Sequence, residues 1–328
     1  MIRYILVSLN LSILAAALPQ LASDLIENEY WAICYSGFRE GQHPDRGSGA
    51  NNPSEDQIAE DLEILLKEGF NLIRMYDCDI NTQMTLEVIE KNNYPIKVLL
   101  GIWLDAEISN HNGCNWLLEP IPKTQLQINS TNNEIEVETA IKLANKYKDI
   151  IVAVNVGNEA LVSWNDHMMT EERVIYFVRE VKSKIRQPVT VAETHYWWRD
   201  YGANLAKELD FLGIHIYPIW EGEDIDTSLS FTIKGIKNVM KAIPNTKIAI
   251  LEAGWASVGD EFKDRANQFN QKYYYDSLKE WAKANNVSVF FFEAFDEPWK
   301  GNKNSPNAAE KNWGIYFEDR TPKYVLQK

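Results

Sequence analysis

Residues 247–255 read Lys247-Ile248-Ala249-Ile250-Leu251-Glu252-Ala253-Gly254-Trp255, an apolar, strand-like run that ends in a glutamate. The run from Ile150 to Val156 is built in the same way and leads into Gly157-Asn158-Glu159. Such runs alternate with helical patterns, and eight strand-like segments can be counted between Trp31 and Phe292. This alternation indicates parallel strands joined by right-handed crossovers, and a count of eight favours closure of the sheet. The sequence therefore predicts an α/β fold, a single (β/α)8 TIM barrel.

One long stretch without a regular pattern follows the third predicted strand, from Leu104 to about Asn133. It contains Trp116, and the next predicted helix runs from Glu134 to Tyr147. Loops this long are uncommon unless they are functional. On a barrel this loop would lie at the C-terminal face, where active sites are built. We therefore expect an extended loop after strand three beside the functional site.

The N-terminus has the features of a signal peptide. Met1-Ile2-Arg3 precedes an uncharged run from Tyr4 to Leu18, and small residues follow at Ala22 and Ser23. The run is about 15 residues long, shorter than the roughly 20 that a membrane span needs. We predict a signal peptide over residues 1–22 and one domain over residues 23–328. The protein is expected to be a monomer, secreted to an extracellular or periplasmic location, with no membrane contact beyond the export signal.

The charge and the cysteine pattern exclude several classes of protein. Thirty-three Lys and Arg against 47 Asp and Glu give a net charge of -14, which repels a phosphate backbone, so nucleic acid is not expected as a partner. No Gly-rich phosphate loop is evident, and Cys34, Cys78 and Cys114 match no zinc pattern, so neither a cofactor nor a metal is predicted. One disulfide with a free thiol, or three buried thiols, are equally compatible with this count.

Glu159 and Glu252 each end a predicted strand, at the face of the barrel where all carboxyl ends meet. Two such carboxylates can act as proton donor and nucleophile across a glycosidic bond, about 5 Å apart if configuration is retained. Taken alone, the position of Glu159 is explained equally well by a catalytic role and by a role as the cap of a following helix. Glu252 ends an almost wholly apolar run without an evident partner, and an unpaired carboxylate there has few structural explanations. Together the two glutamates predict a site for glycoside hydrolysis.

Further polar and aromatic residues follow predicted strand ends and are candidates for binding a sugar. Asn158 is suited to bond a sugar hydroxyl, and Tyr35, Tyr76 and Tyr217 could orient a nucleophile or line the site, although core packing explains each tyrosine equally well. The acidic candidates could accept from sugar hydroxyls or pair with Arg74 or Lys300, and they are Glu193, Glu293, Asp296 and Glu297. The tryptophans that could stack on a sugar face are Trp164, Trp197, Trp198 and Trp220.

Taken together, seven segments in the same order resemble glycoside hydrolase family 17, the β-1,3-glucanases. The matching segments are Ala32-Ile33-Cys34-Tyr35-Ser36-Gly37, Ile73-Arg74-Met75-Tyr76-Asp77, Val154-Asn155-Val156-Gly157-Asn158-Glu159, Ile214-His215-Ile216-Tyr217-Pro218, Leu251-Glu252-Ala253-Gly254-Trp255, Phe292-Glu293-Ala294-Phe295-Asp296-Glu297-Pro298-Trp299-Lys300 and Asn312-Trp313-Gly314-Ile315-Tyr316. The resemblance begins near residue 30 and reaches the C-terminus. Two features depart from the family: Ala256 stands where many members have proline, and the stretch from Leu104 to Asn133 does not align.

The resemblance implies a retaining, endo-acting enzyme on laminarin-type β-1,3-glucan, with Glu159 as acid/base and Glu252 as nucleophile. It also implies that Asn158 contacts the 2-hydroxyl of the sugar in the cleavage subsite and that Tyr217 lies against the nucleophile. The remaining implied residues line the same end of the cleft, and they are Trp255, Glu297 and Lys300. The segment at the eighth predicted strand of this chain is more similar to the fungal and bacterial members of the family. Glucanosyl transfer by the same two glutamates is therefore an alternative.

Two rival interpretations come from other classes of protein. A metal-dependent hydrolase could use His195, His215 and Asp296 at the ends of strands five, six and eight, but such sites also need a His-x-His on strand one, and residues 30–38 contain no histidine. A non-catalytic glucan-binding barrel is the second rival. It predicts that substitution of Glu252 leaves binding intact and that there is no turnover to lose.

Overall fold

The computed structural model describes residues 31–45, 49–302 and 304–327. Eight strands pair in parallel, each with its neighbour in the chain, and β1 pairs with β8, so the sheet is closed. The strands β1 to β8 are, in order, Trp31–Cys34, Leu72–Arg74, Lys97–Ile102, Ile151–Asn158, Val189–Thr194, Leu212–His215, Ile248–Ala253 and Val289–Phe291. The predicted (β/α)8 barrel is confirmed. The predicted signal peptide lies outside the described residues and stays a prediction.

Seven helices accompany the strands in the described part of the chain. The helices α1 to α7 are, in order, Glu55–Lys67, Ile80–Asn92, Lys123–Lys146, Glu171–Lys184, His195–Asp200, Ile225–Ala242 and Gln268–Asn285. The start of α1 shows how the sequence sets a boundary: Ser54 and Gln57 form a capping box, in which each side chain bonds the other residue's backbone N–H. Its buried residues Ile58, Leu62 and Leu65 recur at helical spacing and face the barrel. None of the helices in the described part of the chain combines the length and the apolar character of a membrane-spanning segment.

The loop after β3 is shorter than predicted. Residues 123–133 were expected to belong to the irregular stretch, but they form the first turns of α3. Two buried asparagines explain why a polar helix packs there: Asn129 donates to the carbonyl of Ala106 at 2.8 Å, and Asn133 bonds both backbone groups of Asp105 at 2.8 and 2.9 Å. The extended loop is therefore residues 103–122, and α3 serves as its support.

The segment after β5 contains a helix that the sequence pattern did not predict. Helix α5 directly follows β5, and Thr194 caps it by accepting from the N–H of Trp197 at 3.3 Å. A single 3-10 turn follows at Leu205–Glu208. The three cysteines are buried and free, which decides the open disulfide question in favour of three thiols.

The C-terminal segment is fastened to the barrel by buried ion pairs. Arg320 contacts both carboxylate oxygens of Asp61 on α1, at 2.6 and 2.7 Å, and Arg39 contacts the same carboxylate at 2.8 Å. Lys323, which is fully buried, contacts Asp296 at 2.6 Å. A buried charge is tolerated only when it is paired, so removal of one partner is costly. These pairs therefore hold the last described residues in place.

Candidate active site

A cavity of about 2220 Å³ opens at the C-terminal ends of the strands. Residues at or beyond the C-terminal ends of the strands form its wall, and both Glu159 and Glu252 line it. Typical ligand sites have volumes of roughly 300 to 1,000 Å³. The cavity therefore has room for a ligand several times larger than one small molecule, and both predicted carboxylates face it.

Glu252 lies on β7 and is surrounded by hydrogen-bond donors. Arg74 contacts its Oε1 at 2.6 Å, the phenol of Tyr76 donates to the same oxygen at 3.1 Å, and the phenol of Tyr217 donates to Oε2 at 2.6 Å. Burial alone would raise the pKa of Glu252, but its electrostatic interactions with His215 and Arg74, together with the hydrogen bonds from Tyr217 and Arg74, lower it below its usual value. Glu252 is therefore held as a carboxylate.

The expectation that Glu252 has no partner is wrong, because Arg74 contacts its carboxylate. This arginine ends β2, is completely buried and also donates to the backbone carbonyl of Leu251 at 3.0 Å. Its other terminal nitrogen donates to Oδ1 of Asn158 at 2.6 Å. Since arginine can only donate, this contact fixes which end of the Asn158 amide faces it. One guanidinium therefore positions both the predicted nucleophile and the asparagine beside the predicted acid.

His215 lies between the two glutamates. Its Nδ1 is 2.9 Å from Oε1 of Glu159, and its Nε2 is 3.5 Å from Oε1 of Glu252 and 3.2 Å from Arg74. His215 is opposite Glu252 in the pairing of β6 with β7, where the register shifts between Ile214 and His215. A single imidazole ring therefore spans the gap between the two carboxyl groups, which places them on facing walls of the same cavity.

Glu159 follows β4 in an unusual backbone conformation. Its φ is 49° and that of Gly157 is 88°, and the register of β4 with β5 is irregular between Asn155 and Asn158. A positive φ is uncommon in residues other than glycine and persists where the surroundings enforce it. Here the N–H of Glu159 donates to the carbonyl of Ala192 at 2.8 Å, and the side chain of Asn165 donates to the carbonyl of Glu159. These contacts turn the Glu159 side chain toward the cavity.

Glu193 has a different position from the predicted one. It was expected to bind a sugar, but its side chain is fully buried and accepts a hydrogen bond from the N–H of Leu161 at 2.8 Å. Burial, with a smaller contribution from the charge of Glu159, raises the pKa of Glu193 well above its usual range. Glu193 therefore supports the segment that carries Glu159 and does not reach a ligand.

The other predicted binding residues divide into two groups. Those that line the cavity are Asn158, Tyr76, Tyr217, Trp164, Trp197, Trp220 and Lys300. The others are buried behind its wall, and they are Tyr35, Trp198, Trp255, Glu293, Asp296 and Glu297. Tyr35 contacts Asp61 at 3.4 Å, Trp255 donates to the carbonyl of Arg265 at 2.8 Å, and Glu297 pairs with Lys300 at 2.5 Å.

Lys300 is the cavity residue that Glu297 supports. Its ammonium group contacts Glu293 at 2.6 Å as well as Glu297 at 2.5 Å, and the side chain is 15% exposed. Burial lowers the pKa of Lys300, but the charges of Glu293 and Glu297 raise it above its usual value overall. Lys300 therefore stays positively charged at the cavity wall, with its carboxylate partners behind it.

The residues of the metal-hydrolase interpretation do not meet at one point. His215 contacts Glu159 and Glu252, whereas Asp296 is paired with Lys323 at 2.6 Å. Within residues 31–45, 49–302 and 304–327, no group of three or more His, Cys, Asp or Glu side chains could hold a metal ion.

Sequence reasoning missed the positions of Arg74 and His215 in the site. Arg74 was considered as a partner only for other acids, and His215 only as a metal ligand. One signal could have identified Arg74: a lone arginine within the apolar segment Ile73-Arg74-Met75 would be buried, and a buried charge needs a carboxylate partner. No comparable signal exists for His215, because its partners are set by strand register.

Comparisons with known proteins agree with this geometry. Residues 32–314 match the family model of the BtgE/BtgC glycoside hydrolase domain. A putative glucan endo-1,3-beta-glucosidase btgC from Aspergillus niger is 28% identical over 305 residues, which are 83% of this chain and 40% of that protein. The chain thus spans less than half the length of that relative.

Two solved structures share the fold. An endo-laminarinase from Formosa has a TM-score of 0.79 at 24% identity, over 93% of this chain and 88% of that one. A glycoside hydrolase family 17 β-1,3-glucanosyltransferase from Rhizomucor miehei has a TM-score of 0.70 at 22% identity, over 91% of this chain and 97% of that one. Because the family model matches nearly the whole barrel, the chain belongs to the BtgE/BtgC glycoside hydrolase domain family.

Proposed function

We propose that this chain is a member of glycoside hydrolase family 17 that cleaves β-1,3-glucan internally and retains the anomeric configuration. The observation that carries the proposal is the pair Glu159 and Glu252 on either side of His215 in one large cavity. The names of the Aspergillus niger relative and of the two solved structures supply the substrate class and the family. The volume of the cavity suits a substrate of several sugar units.

In the first step, Glu159 gives its proton to the glycosidic oxygen while a carboxylate oxygen of Glu252 attacks the anomeric carbon. The carbon–oxygen bond to the leaving chain breaks, that chain departs as an alcohol, and the other part stays bound to Glu252 as a glycosyl ester. In the second step, the Glu159 carboxylate takes a proton from water, the water oxygen attacks the anomeric carbon, and Glu252 is released. Two inversions give overall retention.

The surroundings of Glu252 suit the nucleophile's role. A nucleophilic carboxylate must be ionised, and Arg74 with Tyr217 lowers the pKa of Glu252 and fixes its orientation. Asn158 lies between Arg74 and the acid, where its amide can bond a hydroxyl of the reacting sugar. An interaction of that kind accelerates the reaction if it strengthens in the transition state.

We also propose that the protein acts outside the cytoplasm as a monomer. The support for export is the leader-like N-terminus, in which Arg3 precedes the uncharged run from Tyr4 to Leu18. A glucan polymer is a substrate that an exported enzyme would meet, which agrees with the predicted localisation. Comparison of the intracellular and exported fractions of a producing cell, with sequencing of the mature N-terminus, tests this part.

The test of the activity uses laminarin and two variants. Glu252→Gln should lose hydrolysis by several orders of magnitude while circular dichroism shows an intact fold, and Glu172→Gln, an exposed glutamate on α4, is the matched control. Glu159→Ala should be partly rescued by azide with an activated aryl glucoside, because a good leaving group needs no acid. A Glu252→Gln variant that retains a tenth of the activity would contradict the assignment.

Product analysis separates the alternatives. Proton NMR early in the reaction should show the β anomer, and the α anomer would mean inversion. Chromatography over time should show a ladder of shorter oligosaccharides, which indicates internal cleavage. Products longer than the substrate would indicate glucanosyl transfer, in which a sugar hydroxyl replaces water at the glycosyl ester. Binding of laminarin without any turnover would instead favour a non-catalytic barrel.

A further inference from the structure

Two large, partly exposed aromatic side chains meet in the wall of the cavity. Trp116 lies on the loop after β3 and Trp164 on the loop after β4, with ring centroids 6.3 Å apart and ring planes inclined at 58°. They are 58% and 44% exposed, and both line the cavity. Single exposed apolar residues are common, but two adjacent exposed indoles form a patch that usually marks a binding surface.

The pair is connected to the reaction centre by hydrogen bonds. Trp116 donates to the carboxylate of Asp166, which is 3.0 Å from Nδ1 of His167. His167 in turn places its Nε2 2.9 Å from the backbone carbonyl of Asn158, and its ring packs on Trp103 with centroids 4.5 Å apart. Trp116 is therefore held in a fixed relation to the residue that precedes Glu159.

The two loops are also fastened to each other. The side-chain amide of Asn110 donates to the carbonyl of Ser163 and, at 3.4 Å, to that of Asn165, which are the neighbours of Trp164. The backbone N–H groups of Glu107 and Ile108 both donate to the carbonyl of Met168, at 3.2 and 3.1 Å. A surface that is ordered before binding loses little entropy when a ligand arrives. These contacts therefore make a preorganised aromatic platform, defined here as Trp116 and Trp164.

The chemistry of the platform suits one face of a sugar ring. Indole faces pack against flat apolar groups, and Asp166, beside Trp116, can accept from a hydroxyl. An anionic ligand is not expected, because Asp105 and Asp200 line the same cavity and the chain carries a net charge of -14. A neutral polyhydroxylated chain that enters the cavity at the two glutamates can continue to the platform, because one cavity contains both.

We propose that the platform is an outer subsite that binds a glucosyl unit of the same β-1,3-glucan chain, beyond the units at the scissile bond. The proposal rests on the proposed glucan-cleaving function and extends it to the enzyme's choice of chain length. Both tryptophans lie on the segments between β3 and α3 and between β4 and α4. The loop after β3 also contains most of the stretch that does not align with the family 17 pattern.

If the platform is a subsite, long oligosaccharides contact it and short ones do not reach it. The contact should then raise kcat/KM for the long oligosaccharides only. The ratio of kcat/KM for laminarihexaose to that for laminaritriose should fall about tenfold in Trp116→Ala or Trp164→Ala, since one aromatic contact contributes about that much to binding. The tyrosine substitutions Trp116→Tyr and Trp164→Tyr should recover most of the ratio, because they restore an aromatic face. Tyr273→Ala, which removes an exposed aromatic residue of α7 outside the cavity, is the matched control and should keep the wild-type ratio.

A second measurement keeps this proposal separate from the proposed function. Calorimetric titration of Glu252→Gln with laminarihexaose should give about tenfold weaker binding when Trp116→Ala or Trp164→Ala is added. If wild-type protein cleaves laminarin but the hexaose-to-triose ratio and the affinity are unchanged in folded variants, the platform is not a subsite. If wild-type protein cleaves no glucan, the proposed function fails, and the titration still decides whether the platform binds the oligosaccharide.

Discussion

Replacement of Tyr217 by phenylalanine should shift the acidic limb of the pH–rate profile to higher pH. The phenol donates a hydrogen bond of 2.6 Å to Glu252, which is buried, and this bond is one of the causes of the lowered pKa of that carboxylate. A hydrogen bond to a charged group contributes about 1.5–3 kcal/mol, and one pKa unit corresponds to about 1.36 kcal/mol. Loss of the bond should therefore raise the pKa of Glu252 by about one to two units.

The sign of the shift follows from the role of Glu252. Protonation of a nucleophilic carboxylate abolishes attack, so activity disappears as the pH falls through its pKa. In the wild type that pKa lies below the usual 4.5, and a higher value in Tyr217→Phe moves the limb toward neutral pH. The assay is kcat/KM on a soluble laminarioligosaccharide across the acidic range, with the melting temperature followed in the same buffers.

Two matched variants test whether the shift of the acidic limb comes from the lost hydrogen bond to Glu252. Tyr76→Phe removes a longer hydrogen bond of 3.1 Å to the same carboxylate, so its shift should be smaller than that of Tyr217→Phe. Tyr274→Phe removes a buried phenol that contacts Thr232 at 2.8 Å, outside the active site, and should leave the limb unchanged. An unshifted limb in a folded Tyr217→Phe enzyme, or a shift to lower pH, would refute the assignment of that limb to Glu252.

Two further predictions concern residues behind the cavity wall. Arg320→Ala should lower the free energy of unfolding by about 3–5 kcal/mol in urea titration, because it removes one charged partner of the buried Asp61 and leaves Arg39 as the other. A loss below about 1 kcal/mol would show that the pair is unimportant. Glu193→Ala should lower kcat about tenfold or more, because it leaves the N–H of Leu161 without its acceptor beside the Glu159 segment. Glu193→Gln, which keeps an acceptor oxygen, should retain most of the rate, and equal losses in both variants would contradict a positioning role.

The barrel and the positions of its two glutamates could be predicted from the sequence, because both follow from local patterns of apolar and polar residues. An apolar run such as Lys247–Leu251 indicates a buried strand wherever it lies, and the carboxyl ends of parallel strands meet at one face. Helix α3 shows where such patterns fail. Its first turns contain few apolar residues, and it packs through Asn129 and Asn133, whose hydrogen bonds to the preceding loop have no periodic signal in the sequence.

The sequence by itself determined which side chains stand at the ends of the strands, since that order is written along the chain. Only the tertiary structure decided what each of them contacts. Arg74 reaches Glu252 across the barrel, His215 lies between Glu252 and Glu159, and Glu193 turns toward the backbone of Leu161 instead of the cavity. These outcomes depend on strand register and closure, which bring together residues far apart in sequence, and a shift of one residue sends a side chain to the opposite face.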